Sequence, residues 1–327
     1  MVSRADVIGA YRLFLDREPE SEQVVEDHIL HPTIQDLHRT FLNSDEFKAR
    51  SEISFKPFDW PPITVQVETS GPELQAMFDM VNRQWTQLGQ EDPYFSVIGD
   101  PNYRGTEVSD ELRDTFYETG RYEMDRLISF LARSGIALTP DMTCFELGCG
   151  LGRVTRWLAE HFRQVQAADI SGAHLAMAEQ ALRRAGVSNV TLIRLANIET
   201  IRTIRNFDVF FSVIVLQHNP PPVMAAILRS ILENLNPGGV GYFQLQTYGL
   251  DYEFRVDSYL AEHTEGPVIE MHVLPQEAVL DIIYDTGCKL LEVREDGQGG
   301  ATNGISQTFV VRKAGVARKA GGVGKTH

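Results

Sequence analysis

Long apolar runs are missing from this chain. No stretch approaches the roughly 18 consecutive apolar residues that a membrane-spanning helix needs. Cysteine is scarce: Cys144, Cys149 and Cys288 are too few and too scattered for a disulfide framework or a zinc site. They read as buried, reduced thiols of a cytoplasmic protein. The opening residues, Met1-Val2-Ser3-Arg4-Ala5-Asp6, carry no apolar signal core, which argues against export by that route. Basic residues are in deficit, with 30 Lys and Arg against 45 Asp and Glu. The resulting formal charge of −15 opposes a phosphate backbone, so no nucleic-acid partner is expected unless a local basic patch persists. The basic cluster that does occur, Arg312-Lys313 through Arg318-Lys319 to Lys325, lies among glycines and alanines. Residues 314–327 accordingly read as a flexible tail without a function of their own.

What remains is the composition of a globular protein, 43% hydrophobic and 23% charged, with enough chain at 327 residues for one sizeable domain and a smaller one. Residues 1–56 read as a small helical domain. Ile8, Tyr11 and Leu15 share a helical face, Arg17-Glu18-Pro19-Glu20 ends that helix, and Pro32-Thr33 starts a third one. Asn43 or Ser44 is placed to cap a last short helix. Phe58-Asp59-Trp60-Pro61-Pro62 punctuates the chain there.

Residues 57–123 read as a linker and helical cover. They hold a helix over 71–88, an aromatic loop at Asp92-Pro93-Tyr94-Phe95, and helical periodicity that resumes at 112–117 and again at 124–131. Strands then alternate with helices. The expected strands are 142–147, 165–169, 190–194, 208–215 and 239–246, a spacing that implies a parallel, doubly wound sheet. A helix at 275–285, a strand at 288–294, a glycine-rich turn and a strand at 305–312 form a closing hairpin. The last strand therefore runs antiparallel to its neighbour.

The chemistry concentrates at Thr143-Cys144-Phe145-Glu146-Leu147-Gly148-Cys149-Gly150-Leu151-Gly152-Arg153. An apolar strand climbs to an acidic residue, breaks into glycines at every second position and becomes a helix. In an open α/β sheet a ligand sits at such a junction, where free backbone N–H groups meet. The dinucleotide fingerprint needs its third glycine one place later, where this chain has Arg153. Glu146 before the turn favours a cationic or hydroxyl-rich ligand over a bare pyrophosphate. Asp169 ends the next strand, about 20 residues on, where an acidic side chain can accept both hydroxyls of a ribose. Its alternative role as a helix cap is better filled by Ser171.

Glu146-Leu147-Gly148-Cys149-Gly150-Leu151-Gly152 and Asp169-Ile170-Ser171 resemble the first two motifs of class I S-adenosylmethionine-dependent methyltransferases. Ala196-Asn197-Ile198, Ser212-Val213-Ile214-Val215-Leu216-Gln217-His218 and Leu235-Asn236-Pro237-Gly238-Gly239 resemble the later motifs, in order. The resemblance implies an α/β, Rossmann-like seven-stranded sheet, mostly parallel with an antiparallel last strand, over residues 124–313. It implies S-adenosylmethionine as cofactor, held by Glu146, Gly148, Cys149, Gly150, Gly152, Arg153, Asp169, Ile170, Asn197, Ile198, Ser212 and Gln217. Tyr94, Phe95, Tyr117, Gly120 and Arg121 resemble the cover that closes over the cofactor in related enzymes, with core packing as the other reading of the aromatics. Asn197 stands where many relatives carry aspartate, though its amide oxygen can still accept from an adenine amino group.

Within that resemblance His218 is either the base that takes a proton from the acceptor or a structural histidine of the cofactor shell. His272 is a second candidate base, with a solvated loop histidine as the alternative. The long segment 247–274 reads as a lid whose Tyr248, Tyr252 and Arg255, with Tyr94 upstream, contact substrate; Tyr259 and His263 share that segment, and a dimer contact is the other reading. No metal is indicated, since Asn219-Pro220-Pro221-Pro222 follows His218 without an acidic pair.

Tyr11-Arg12-Leu13-Phe14-Leu15-Asp16-Arg17-Glu18-Pro19 and Phe41-Leu42-Asn43-Ser44-Asp45-Glu46-Phe47 resemble a small helical domain of unknown function that accompanies bacterial surface-glycan enzymes. The expected function is therefore O-methylation of a sugar hydroxyl in a bacterial glycan or glycosylated metabolite. The alternatives are methylation of a small non-sugar natural product at oxygen or nitrogen, and a scaffold that binds the cofactor without transfer. The expected partner is a small-molecule or glycan acceptor, with a homo-oligomer left open.

Overall fold

The structure, a computed structural model, describes residues 2–47, 60–262, 266, 268–298 and 303–315. The expected tail from 316 onward, His263 and the Phe58-Asp59 part of the punctuating segment lie outside the described residues. The chain divides into two compact units, Met1–Trp60 and Pro61–His327.

The first unit is built on α1 (Arg4–Leu15), α2 (Glu22–Ile29) and α3 (Ile34–Asn43). Each starts on a hydroxyl cap: Ser3, Ser21 and Thr33 accept from backbone N–H groups three residues on. Val7, Tyr11 and Leu15, spaced by fours, enter the core with Val25, Leu37 and Phe41. The face is thus rotated from the expected one, because Val7 rather than the half-buried Ile8 turns inward. Ser44 Oγ accepts from the Phe47 amide at 3.1 Å, so Ser44 is the cap of the last turn. Arg17 donates to Glu46 through two nitrogens at 2.7 and 2.6 Å, joining the two sequence motifs of this unit.

In the second unit the order is β1 (Thr64–Val65), α4 (Gly71–Glu91), α5 (Phe95–Ile98), α6 (Asp110–Arg133), β2 (Thr143–Leu147), α7 (Thr155–His161), β3 (Gln164–Asp169), α8 (Gly172–Arg184) and β4 (Val190–Arg194). It continues with α9 (Ile198–Thr203), β5 (Val209–Ser212), α10 (Pro221–Asn234), β6 (Val240–Gly249), β7 (Glu253–Phe254), α11 (Val256–Glu262), α12 (Gln276–Asp285), β8 (Cys288–Glu295) and β9 (Gly304–Lys313). The main sheet has seven strands in the order β4-β3-β2-β5-β6-β9-β8. Strands β2 to β6 pair in parallel, while β9 runs antiparallel to both β6 and β8. This is the expected α/β Rossmann-like sheet with its closing hairpin.

Strand alternation sends β2 to both faces. Phe145 and Leu147 pack with Met77 and Phe78 of α4 and with α9, α10 and α12, while Cys144 packs with α6, α7 and α8. Glu146 shares the Cys144 face and is therefore carried under helices.

Two expectations are corrected. The strand expected over 208–215 stops at Ser212, because Ile214 adopts a left-handed φ of 55° and donates its amide to the buried Gln244 side chain at 2.7 Å. The periodicity expected as two pieces, 112–117 and 124–131, is one helix, α6. Segment 247–274 is also packed: β7 pairs in parallel with β1, and Phe254 and Val256 enter the main core.

Candidate functional site

A cleft of about 1010 Å³, its open mouth included, lies across the carboxyl ends of β2, β3 and β5. That is the switch point where the strand order reverses. Its floor is the glycine turn. Gly148 and Gly150 take φ of 75° and 52°, a region L side chains rarely adopt. A Cβ on Gly150 would meet Val97 at 2.8 Å. Gly120 lets α6 lie against the same turn, since a Cβ there would run into the Arg153 carbonyl. Tyr117, one turn earlier, donates its hydroxyl to the Leu151 carbonyl at 3.2 Å.

Two carboxylates sit in the cleft wall. Asp169 is held by the Gly150 amide at 2.8 Å on one oxygen and the Ser171 amide at 2.7 Å on the other. Glu146 is buried and accepts from Thr155 Oγ1 at 2.6 Å. Burial pushes its carboxyl up to about 7, against the hydrogen bond from Thr155 and the charge of Arg153. It forms no ion pair among the described residues. Arg153, also on the wall, is half-buried and donates to Thr119 Oγ1 at 3.3 Å, and its Nε has no partner among the described residues.

His218 stands on the wall in a single 3₁₀ turn, Leu216–His218. Its Nδ1 lies 2.9 Å from the Glu270 carbonyl, so Nδ1 carries the proton and Nε2 keeps a lone pair. Burial lowers the imidazole pKa to about 4, so it is neutral near pH 7. The Trp85 ring lies 5.1 Å away.

Of the residues expected to hold the ligand, the cleft gathers Glu146, Gly148, Cys149, Gly150, Arg153, Asp169, Ile170 and His218. The wall leaves out the others. Asn197 is exposed and caps α9, its oxygen accepting from the Thr200 amide at 2.9 Å, so that oxygen is already committed. Ile198 is core. Ser212 is buried, with Oγ 3.4 Å from the Leu147 carbonyl. Gln217 is buried against Gln244 and Met271. Tyr94, Tyr117 and Gly152 face a separate cavity. Tyr248 donates to the Pro61 carbonyl at 2.6 Å, and Arg255 pairs with Asp257 on the surface.

His272 is not a solvated loop histidine. It is buried, with Nδ1 2.9 Å from the Tyr252 hydroxyl and Nε2 3.1 Å from Glu270, which also accepts from Tyr259 at 2.9 Å. It is off the cleft wall. Its backbone amide donates to the Gln217 carbonyl at 2.7 Å, which docks this segment beside His218.

Several wall residues carry no motif. Phe78, Val81 and Trp85 come from α4, Ser96 and Val97 from α5, and His174 from α8. The spacing of 78, 81 and 85 by three and four marks one helical face. Nothing in the sequence says which surface that face meets. His174 is buried with Nε2 2.9 Å from Ser96 Oγ and Nδ1 3.6 Å from Asp169, which ties α5 to the acidic strand end.

Residues 145–239 match the family model described as a methyltransferase domain. That span holds the glycine turn, Asp169 and His218, and the sheet around it is the seven-stranded Rossmann-like sheet described above. A curated relative, a tRNA/tmRNA (uracil-C(5))-methyltransferase of Pseudoalteromonas atlantica, is 38% identical over 61 residues, 19% of this chain and 17% of its own length. The chain thus spans about a sixth of that relative. Among solved structures, magnesium protoporphyrin IX methyltransferase from Synechocystis PCC 6803 aligns at 16% identity with a TM-score of 0.49, over 72% of this chain and 100% of its own. An N-methyltransferase from Bradyrhizobium japonicum WM9 aligns at 17% identity with a TM-score of 0.45, over 72% of this chain and 98% of its own.

Proposed function

We propose that this protein is an S-adenosylmethionine-dependent methyltransferase whose acceptor is a sugar hydroxyl of a glycan or glycosylated metabolite. The observation that carries the reading is one cleft holding two buried carboxylates, Glu146 and Asp169, around a left-handed glycine turn. The donor set fits the cofactor. Asp169 is fixed by two amides and presents its remaining lone pairs to ribose hydroxyls. Glu146 is a buried acid without an ion pair among the described residues, which suits the cationic methionine end. When bound, the cofactor supplies an electrophilic methyl group on a sulfonium.

The chain's own residues then align and deprotonate. Alignment in a closed cleft is worth about 10⁵ M or more in effective concentration. His218 Nε2 accepts the proton that the acceptor hydroxyl loses. A base of pKa about 4 is weak for a free hydroxyl, yet the attacking oxygen becomes strongly acidic as its bond to the methyl carbon forms and the carbon–sulfur bond breaks. The neutral imidazole also adds no positive charge beside the sulfonium. Trp85 offers an aromatic face next to His218 for the apolar side of a sugar ring. The resemblance of the front unit's two motifs, Tyr11 to Pro19 and Phe41 to Phe47, to a domain that accompanies bacterial surface-glycan enzymes supports a glycan acceptor. A catalytically silent scaffold and a non-sugar acceptor are the rival outcomes. An RNA substrate, which the name of the curated relative indicates for that protein, is disfavoured here by the charge of −15.

The test is methyl transfer from labelled cofactor across a panel of sugars, glycosides and small natural products, read as S-adenosylhomocysteine formation. Turnover confined to hydroxylated sugars supports the reading. Cofactor binding without turnover on any acceptor moves it to a scaffold, and an absence of binding overturns it.

A further inference from the structure

Behind the glycine turn lies a second cavity, of about 840 Å³ with its mouth included. Arg113 of α6, Arg156 of α7 and Arg184 at the end of α8 line it together with Tyr94 and Tyr117. Three helices thus deliver three guanidiniums to one concavity, in a chain whose formal charge is −15. Arg113 pairs with Asp110 at 2.5 Å, and Asp114 stands on the same wall. Among the described residues no carboxylate pairs with Arg156 or Arg184, and Arg156 lies 4.7 Å over the Trp157 ring. Tyr94 is only 6% exposed, lines the cavity, and its hydroxyl has no hydrogen-bond partner among the described residues.

We propose that this cavity binds a phosphate group. A carboxylate offers two oxygens in a plane, whereas a phosphate offers its oxygens tetrahedrally. Planar guanidinium forks arriving from separate helices, with a phenol O–H on the same cavity wall, match the second arrangement. Asp110 already holds Arg113, so Arg156 and Arg184 are the cations left to the ligand and Tyr94 supplies a neutral donor. The same chemistry fits free phosphate and the phosphate of a phosphorylated sugar or nucleotide. The site shares Gly152 and Tyr117 with the glycine turn, because the Tyr117 hydroxyl holds the Leu151 carbonyl. An occupied cavity therefore braces the back of the cleft. This site stands on its own geometry and does not depend on the methyl-transfer reading.

Titration calorimetry of the full chain at fixed ionic strength, with inorganic phosphate, glucose 1-phosphate and uridine 5′-monophosphate, tests it. Saturable binding of at least one is expected, tightest for inorganic phosphate if the ligand is the free ion and for an ester if it is a phosphorylated metabolite. The Arg156→Gln/Arg184→Gln variant should bind at least about tenfold more weakly. Tyr94→Phe should lose about threefold, the value of one hydrogen bond. Should the double variant not fold, Arg184→Gln alone, at an exposed position, carries the comparison. No saturable binding of any of the three, or binding unchanged in the folded variants, overturns the proposal. Titration with S-adenosylhomocysteine in parallel reports on the cofactor cleft separately.

Discussion

The side-chain oxygen of Gln244 accepts the amide hydrogen of Ile214 at 2.7 Å, and that contact holds a β-branched residue at φ 55° beside the cleft. Such a conformation costs about 1–3 kcal/mol and persists only where its surroundings impose it. Gln244 is fully buried and also donates to Gln217 at 2.7 Å and to Ser306 at 2.5 Å. It thus ties the turn that carries His218 to the centre of β6. Gln244→Leu leaves the Ile214 amide and Gln217 oxygen unsatisfied and should destabilise the protein by about 1–3 kcal/mol per orphaned group. Denaturant titration reads the loss. A variant as stable as the parent shows that the turn holds without this contact.

Helix α6 approaches the glycine turn so closely that Gly120 has no space for a methyl group. Gly120→Ala must push α6 away from the Arg153 carbonyl, with a cost of about 1–3 kcal/mol. Affinity for S-adenosylhomocysteine should fall with it, since the turn is the cleft floor. Unchanged melting and affinity would show that α6 shifts freely.

Glu146 titrates near 7 in the folded chain, above its ordinary value of 4.5. Its contribution to stability is fully present below about pH 4.5 and is lost as pH rises through 7. The loss is on the order of 3 kcal/mol. Glu146→Gln should therefore remove part of the fall in melting temperature between pH 5.5 and 8. A cationic ligand beside Glu146 should also drive the carboxyl to ionise, which calorimetry in buffers of different ionisation enthalpy detects as proton release near pH 7. Identical pH profiles for the parent and Glu146→Gln would sink this assignment.

His218 is shifted the other way, from 6.5 to about 4. Its contribution is present above pH 6.5 and is lost as pH falls through 4. The imidazole resonances followed by NMR should titrate near pH 4, and any acid limb of methyl transfer due to His218 should lie there rather than near 6.5. His218→Asn should lower turnover by about 10²–10⁴-fold if Nε2 takes the proton. S-adenosylhomocysteine affinity separates this from a cofactor-shell role, which would show as weaker binding with turnover retained.

Part of the cleft wall is legible in the sequence alone. Gly148, Gly150 and Asp169 were legible because backbone conformation and strand-end position are local properties. The sequence did not reveal that the Asn197 oxygen caps its own helix, nor that Gln217 meets Gln244 on another strand. His272 was legible as a histidine beside the cleft but not as a member of a buried Tyr252–His272–Glu270–Tyr259 chain, since those partners meet only when the segment packs.

Strand and helix alternation, the closing hairpin and the glycine turn with its two acids are all written locally in the chain. Each follows from periodicity or from φ preferences acting within a few residues. Tertiary structure alone decided that α4 supplies Phe78, Val81 and Trp85 to the cleft and that three arginines converge behind it. It also decided that burial sets Glu146 near 7 and His218 near 4. Those outcomes depend on which distant surfaces meet and on how much water they exclude, and no local pattern encodes either.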